Sequence, residues 1–513
     1  MKRPRLRIAG AQRLVLFCYF FTVLALFAGI HQVSSQTFTN LHSFAYISDG
    51  DHLAAGLILS NNILYGTAEF GGASGNGTIF KVHTDGTGFT NLYSFTANSY
   101  INNHTNSDGA NPYASLILSG NTLYGTATRG GGGNNGTVFK INTDGTCFTN
   151  LHSFTANSYI NNYTNTDGAN PYAGLILSGN TLYGTANGGG SEAYGTVFKI
   201  NTDGTGFTNL HSFTALDQTY YTNSDGANPS GDLVLSGGVL YGTAQIGGSS
   251  GNGAVFKVNI DGTGFTNLHN FPAEALNDEN NATNSDGANP YAGLILSGNT
   301  LYGTAYGGGS GANGAVFKVD TDGTGFTNLY SFTCGALNDE FNLTNSDGAN
   351  PSGDLILSGN TLYGSATEGG SGANGTIFKI NTDGTCFTNL YGFTALDQAY
   401  YTNSDGANPS SDLVLSGNTL YGTAQIGGSF NAGTVFSLSL GSLNAQQLAI
   451  VISGANVILT WPTNAIGFTL QSTTSLVPQA VWSTVSPSPI IVNGQSVVTN
   501  AISGKQEFYR LSQ

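Results

Sequence analysis

The side chains in this sequence that could do chemistry mostly recur at a fixed interval, and that recurrence narrows what they can do. Four of the eight histidines, His42, His152, His211 and His269, stand in the motif FTNLHSF or a close variant, where Tyr93, Tyr330 and Tyr391 stand in other copies. A position that exchanges His for Tyr is expected to pack or to line a rim. With no second His at ligand spacing and no Ser or Cys partner, neither a metal nor a nucleophilic role is expected there. Two acidic positions also recur. The Asp of the DGTG turn (Asp85, Asp144, Asp203, Asp261, Asp322, Asp383) is accounted for by turn chemistry. The Asp of the SDGANP loop (Asp49, Asp108, Asp167, Asp225, Asp286, Asp347, Asp405) lies in Asn-x-Asp-Gly, which resembles the middle of a calcium loop, and Asp232, Asp354 and Asp412 fall where a closing ligand would lie. The first ligand position is Tyr, His, Ala or Leu, however, and the closing position varies, so the EF-type pattern fails. Turn capping is the expected role of these residues, and calcium is the one cofactor left open.

Unrepeated acids stand out only at Glu274, Asp278 and Glu279 and at Asp339 and Glu340. Carbohydrate hydrolysis or elimination asks for two carboxylates about 5 to 10 Å apart in unlike environments, a constellation that a repeated pattern does not supply. The stretch GGGGNNGT, Gly130 to Thr137, matches GxGxxG trivially. It lacks a following Gly-Lys-Ser/Thr before a helix, so it is not a phosphate cradle. There remain Tyr100, Tyr159, Tyr163, Tyr220, Tyr221, Tyr400 and Tyr401, in Asn-rich connections that vary more than any other part of the repeat. Tyr in such loops suits stacking on sugars or contact with a protein, and these seven are the candidate ligand-face residues.

The elements that must position these residues follow from internal repetition. LYGTA or LYGSA recurs with its Tyr at positions 65, 124, 183, 241, 302, 363 and 421, at spacings of 59, 59, 58, 61, 61 and 58. Each copy reads SDGANP, LILSGN, TLYGTA, a GG-rich stretch, GTVFKI, NTDGTG and FTNLYSF. That is four short β-prone runs with tight-turn residues between the first and second and between the third and fourth. Four antiparallel strands repeated radially describe a propeller blade. FTNL begins at Phe38, before the first LYGTA, and is missing after the last one. The N-terminal TFTNLHSF is therefore expected to supply the outer strand of the seventh blade and so to close the ring; an open β-solenoid is the competing fold.

The segment DGANPYAGLILSGNTLYGTANGGGSEAYGTVFKINTDG, Asp167 to Gly204, and its six counterparts resemble the GloVer tandem repeat family of bacterial envelope and secreted proteins. The resemblance covers Thr37 to about Leu440 and implies a propeller-like, exported protein; it brings no catalytic residues. The first copy departs from it, with AYISDGDHLAAG (Ala45 to Gly56) in place of the long loop, so its loop need not share a binding role. From about Ser442 the composition changes. Both tryptophans, Trp461 and Trp482, lie beyond that point, in runs that alternate apolar and polar residues. This predicts a β-sandwich, similar in its order of W, FTLQST, W and FYRL to small fibronectin-type-III-like modules. The expected organisation is all-β: a signal peptide over 1–35, a seven-bladed β-propeller over 37–440, a linker over 441–447 and a β-sandwich over 448–513.

Composition excludes several classes of partner. The 513 residues carry a formal charge of −15, and five of the fourteen basic residues lie in the first thirteen positions, so nine basic residues face 29 acidic ones in the rest. Six of those nine are one recurring lysine, which makes nucleic acid an unsuitable partner. The basic start followed by the apolar run Leu14 to Ile30 and by HQVSSQ reads as a signal peptide. Export, with no membrane insertion after cleavage, a monomeric state and attachment to the envelope are the corresponding expectations. Cys147 and Cys386 replace a turn Gly, and together with Cys334 they form no disulfide framework. The function expected is a secreted or surface scaffold without catalysis that binds a polysaccharide or a protein through its inter-blade loops; the alternative is a carbohydrate-active propeller hydrolase or lyase.

Overall fold

The computed structural model describes residues 36–512 apart from 100–104, 159–162, 278–280, 338–342, 398, 441–447, 454–455, 463–468, 475–480, 493–494 and 502–506. Every regular element among the described residues is a strand. One compact unit comprises Phe38–Leu438, and a second contains Ser439–Gln513.

Each repeat of the larger unit forms a four-stranded antiparallel sheet in sequence order. In the second repeat the strands are Ile117–Ser119, Thr122–Ala127, Thr137–Asn142 and Thr149–Ser153. The first turn is tight because Gly120 takes φ +58° with open space around its Cα. The last is held by Asp144, whose Oδ1 accepts the backbone N–H of Thr146 at 2.9 Å and its hydroxyl at 2.7 Å. Gly125 of LYGTA pairs with Phe139 of the third strand, and a Cβ there would meet the Phe139 ring and Leu116 at 2.7 Å. Glycine is required at this position because the aromatic ring lies over it. Cys147 and Cys386 take φ +57° and +58°, the conformation of the glycines they replace.

The core lies between sheets rather than within one. Tyr124, Val138 and Phe154 of the second repeat pack with Leu175, Leu182 and Phe198 of the third, and the pattern recurs around the unit. It also joins the two ends of the repeat array, since Phe44, Leu53, Leu64 and Phe80 share one buried cluster with Ala432 and Val435. The N-terminal strand Thr37–Ser43 pairs beside Thr434–Ser439 and supplies the fourth strand of the last sheet. Phe38 stacks on Tyr391 at 4.1 Å, as Phe148 does on Tyr93 at 4.0 Å, so its side chain takes the place that a repeat Phe holds elsewhere.

In the smaller unit a four-stranded sheet, in the order Ala449–Ser453, Asn456–Pro462, Gln495–Ala501, Ile490–Val492, accompanies a three-stranded sheet of Ser483–Thr484, Thr469–Thr473 and Phe508–Ser512. Leu459, Trp461 and Val498 of the first and Leu470 of the second bury one cluster between them.

Candidate functional site

The repeated polar residues are engaged by the chain itself. In every repeat the His or Tyr of the FTNL motif meets the loop Asp: His42 with Asp49, Tyr93 with Asp108, His152 with Asp167, His211 with Asp225, His269 with Asp286, Tyr330 with Asp347 and Tyr391 with Asp405, at 2.7 to 3.2 Å. The exchange of His for Tyr therefore keeps one function, an aromatic N–H or O–H donor to a carboxylate. Thr96 adds its backbone N–H at 2.9 Å and its hydroxyl to Asp108, so both oxygens of that loop carboxylate are taken. Asn106 Oδ1 accepts the N–H groups of Gly109 and Gly131 at 2.9 Å each. These residues tie each loop to its sheet. Burial holds the His42 and His269 imidazoles below the usual value against the opposing pull of their Asp partners.

Asp232, Asp354 and Asp412 do not close those loops. They come from the segment just before the first strand of the fourth, sixth and seventh repeats, and one oxygen of each lies within 4.8 Å of the others. All seven repeats contribute this segment to a single cavity of about 40 Å³, in the register Ala54–Gly56, Tyr113–Ser115, Tyr172–Gly174, Ser230–Asp232, Tyr291–Gly293, Ser352–Asp354 and Ser410–Asp412. Within that register Asp occurs only where the residue two before it is Ser, and Tyr occupies that place only where the later position is Gly or Ser. Small and large residues thus alternate so that carboxylates and phenols fit into one narrow space.

Backbone N–H groups hold the carboxylates. Gly174 donates to Asp232 Oδ1 at 2.6 Å, Gly293 to Asp354 Oδ1 at 2.5 Å and Asp354 to Asp412 Oδ1 at 2.8 Å. The Ser115 hydroxyl donates to Asp412 Oδ2 at 2.8 Å and accepts the Gly56 N–H at 3.0 Å. Desolvation, followed by the charge of Asp412, pushes the Asp232 carboxyl up to about 7. The same causes, with Asp232 added, carry Asp354 well above the usual carboxylate range. The three side chains are only half-buried because they face the cavity, but that opening is too narrow to hydrate three charges.

A wider cavity of about 370 Å³ shares Tyr113, Tyr291, Ser352 and Ser410 with the narrow one and adds Tyr306, Gln245, Thr367 and Gln425. It forms a vestibule of phenol, amide and hydroxyl groups. The Tyr113 and Tyr291 hydroxyls lie 3.4 Å apart, and Tyr113 meets Tyr172 edge to face at 5.3 Å. Burial raises all three phenols of the vestibule, so they are neutral donors. Burial also lifts Glu69 to about 7, with His52 and Arg129 as the opposing charges.

The loop tyrosines lie elsewhere. Tyr163, Tyr220, Tyr221, Tyr400 and Tyr401 are exposed, and Tyr100 and Tyr159 lie outside the described residues. Asp217 Oδ1 accepts the N–H groups of Thr219 and Tyr220 at 2.9 Å, and Asp397 repeats the arrangement with Ala399 and Tyr400 at 3.0 Å. The two Tyr-Tyr pairs lead into the fourth and seventh repeats, which also supply Gln245 and Gln425 to the vestibule. Glu274 is exposed, while Asp278, Glu279, Asp339 and Glu340 lie outside the described residues. The vestibule and the joined carboxylates escape a reading of single repeats, because each gathers residues from several copies at positions where the copies differ. The exchange of Tyr-Ala-Gly for Ser-Gly-Asp is the signal that marks them.

Four-stranded antiparallel sheets repeated in tandem, with one acid-floored cavity drawn from every copy, define the class of protein. The chain belongs to the Gloeobacter/Verrucomicrobia repeat family, which matches residues 29–165, 155–339 and 274–457. No curated protein matches it. Among solved structures it is similar to an oligogalacturonate lyase of Vibrio parahaemolyticus, at 9% identity over 80% of this chain and 98% of that one, with a TM-score of 0.46. It is also similar to a GH74 enzyme of Niastella koreensis, at 16% identity and a TM-score of 0.42, covering 83% of this chain and 59% of that one. TolB of Acinetobacter baumannii shares 14% identity over 62% of this chain and 60% of its own length, with a TM-score of 0.35.

Proposed function

We propose that the repeats form a seven-bladed β-propeller, exported by a signal peptide over residues 1–35, that binds a polysaccharide across its loop face and draws one sugar unit into the vestibule. The observation that carries this reading is the vestibule itself. Its volume of about 370 Å³ falls within the range of small-ligand sites. Its lining offers Tyr113, Tyr291 and Tyr306 as stacking faces, the amides of Gln245 and Gln425, the hydroxyls of Ser352 and Thr367, and no lysine or arginine. That chemistry suits a neutral, hydroxyl-rich ligand, and the exposed pairs Tyr220-Tyr221 and Tyr400-Tyr401 extend it outward. Ring closure is supported by Thr423 Oγ1, which lies 3.0 and 2.9 Å from the carbonyls of Leu53 and Ala55. The C-terminal unit, as a fibronectin-type-III-like module, serves attachment to the envelope.

A carbohydrate hydrolase or lyase is the second reading, and one observation favours it: Asp232 is raised to about 7 beside Asp412, a pair of acids in unlike settings. The space supports the binding reading instead. About 40 Å³ holds roughly three waters at ~10–15 Å³ each, and no sugar ring reaches the carboxylates. Screening the full exported chain against neutral glycans, with Tyr291→Ala and Gln245→Ala as variants, tests the binding reading. Retention of a neutral glycan that both variants weaken tenfold or more is expected. Failure to retain any glycan, or retention unchanged by both variants, overturns it, and turnover of a retained glycan would establish the second reading.

A further inference from the structure

We infer that Asp232, Asp354 and Asp412 form a single site for a divalent cation of calcium's size, shared by the fourth, sixth and seventh repeats at the floor of the vestibule. The inference stands whether or not the vestibule takes a sugar. Its first ground is geometric. Oxygens bound to one calcium at 2.3–2.6 Å are separated by at most about 4.6–5.2 Å, and the three carboxylates present oxygens within 4.8 Å of one another.

The second ground is a polar group with no partner in the protein. The Ser410 hydroxyl oxygen lines the same cavity, exposes less than 1 Å², and has no hydrogen bond. The Ser230 and Ser352 hydroxyls at the same position of other repeats, and that of Ser115 at the position of Asp412, by contrast, each make a hydrogen bond within the protein; a buried hydroxyl left open in a cavity that the three acids share is placed to complete a coordination shell.

The donor arrangement agrees. Asp232 and Asp354 each use Oδ1 for a backbone N–H, which leaves Oδ2 free for a cation. No lysine or arginine lines the cavity, so a cation is the natural neutraliser of its charge. All donors are oxygen, which selects hard cations over zinc or copper. The remaining volume admits waters to fill the other coordination positions. This site differs from a set of calcium loops in one countable way: it binds one ion per chain, where the recurring Asn-x-Asp-Gly loops would bind up to seven.

The experiment is calorimetric titration of the full exported chain, stripped with EDTA, with calcium chloride and then magnesium chloride at pH 8, together with thermal melts. One calcium per chain, a melting temperature raised by millimolar calcium, and weaker magnesium binding are expected. Asp232→Asn and Asp354→Asn should each abolish the binding while melting at or above the metal-free wild type, which shows that they fold. Should Asp354→Asn fail to fold, Asp232→Asn carries the test, since its carboxylate accepts a single backbone N–H and Asn can accept the same bond. Absence of calcium binding at millimolar concentration overturns the inference, as does a stoichiometry near seven or binding that persists in the folded Asp232→Asn variant.

Discussion

Replacing Asp232 by Asn should make the metal-free protein more stable at pH 8 and change it little at pH 4. The folded-state carboxyl is raised to about 7 from 3.8, so the folded chain holds its proton more tightly than the unfolded chain. Below about pH 3.8 both states are protonated and the group costs nothing. Between there and pH 7 the unfolded chain releases its proton first, and stability falls; above 7 the full penalty remains. Three pH units correspond to about 4 kcal/mol. An independent figure comes from two unit charges no more than 4.8 Å apart at an effective dielectric of 20, which repel by about 3 kcal/mol or more. Cavity water screens the pair, so about 2–4 kcal/mol is the expected range. A unit of about 400 residues has an unfolding entropy near 0.8 kcal/mol/K, which converts this to about 2–5 °C in Tm. Melts of wild type and Asp232→Asn in EDTA from pH 4 to 8 should therefore diverge by that amount, with the variant higher at the alkaline end. Curves that run parallel across the range would refute the account of three carboxylates crowded into a poorly hydrated space.

Two further outcomes follow from the repeat frame. Tyr330→Phe removes the 2.7 Å donor to Asp347 and should lower Tm by about 1–4 °C, from the roughly 1–3 kcal/mol lost at a buried acceptor. Tyr330→His, which restores the pairing seen at His152 and Asp167, should stay within about 1 °C of wild type, and equal losses in both variants would argue against a donor role. Deleting residues 36–43 removes the strand beside Thr434–Ser439. It should yield a chain that melts at least about 5 °C lower and associates on a sizing column, whereas an unchanged monomer would show that this strand does not hold the last sheet.

Much of the strand order was legible because turn residues punctuate it. Gly120-Asn121 and Asp144-Gly145 each allow one tight reversal, and Gly125 can only face a large ring, here Phe139. The place of TFTNLHSF could be found by counting, since one motif in excess at the start matches one missing at the end. The capping role of the loop Asp was legible from its type, but its aromatic partner was not. Tyr93 and Asp108 lie fifteen residues apart and meet only through the sheet's register. The joined carboxylates were the hardest to see. Asp232 and Asp412 are separated by 180 residues of chain, and each alone reads as a variant of one loop. Proximity of that kind comes from superposing the repeats about a common cavity, which no single copy encodes.

The strand Thr37–Ser43 also sets a schedule. It is among the first parts of the described chain to be made, yet its partner Thr434–Ser439 follows nearly 400 residues later. At roughly 5–20 residues per second, the strand waits about 20–80 s before its neighbour exists. Every chain cut short before the seventh repeat keeps an unpaired strand at one end and an uncovered apolar sheet face at the other. Completion of the last sheet thus coincides with synthesis of the end of the repeats, so that the first strand of the array serves as the latch on its last.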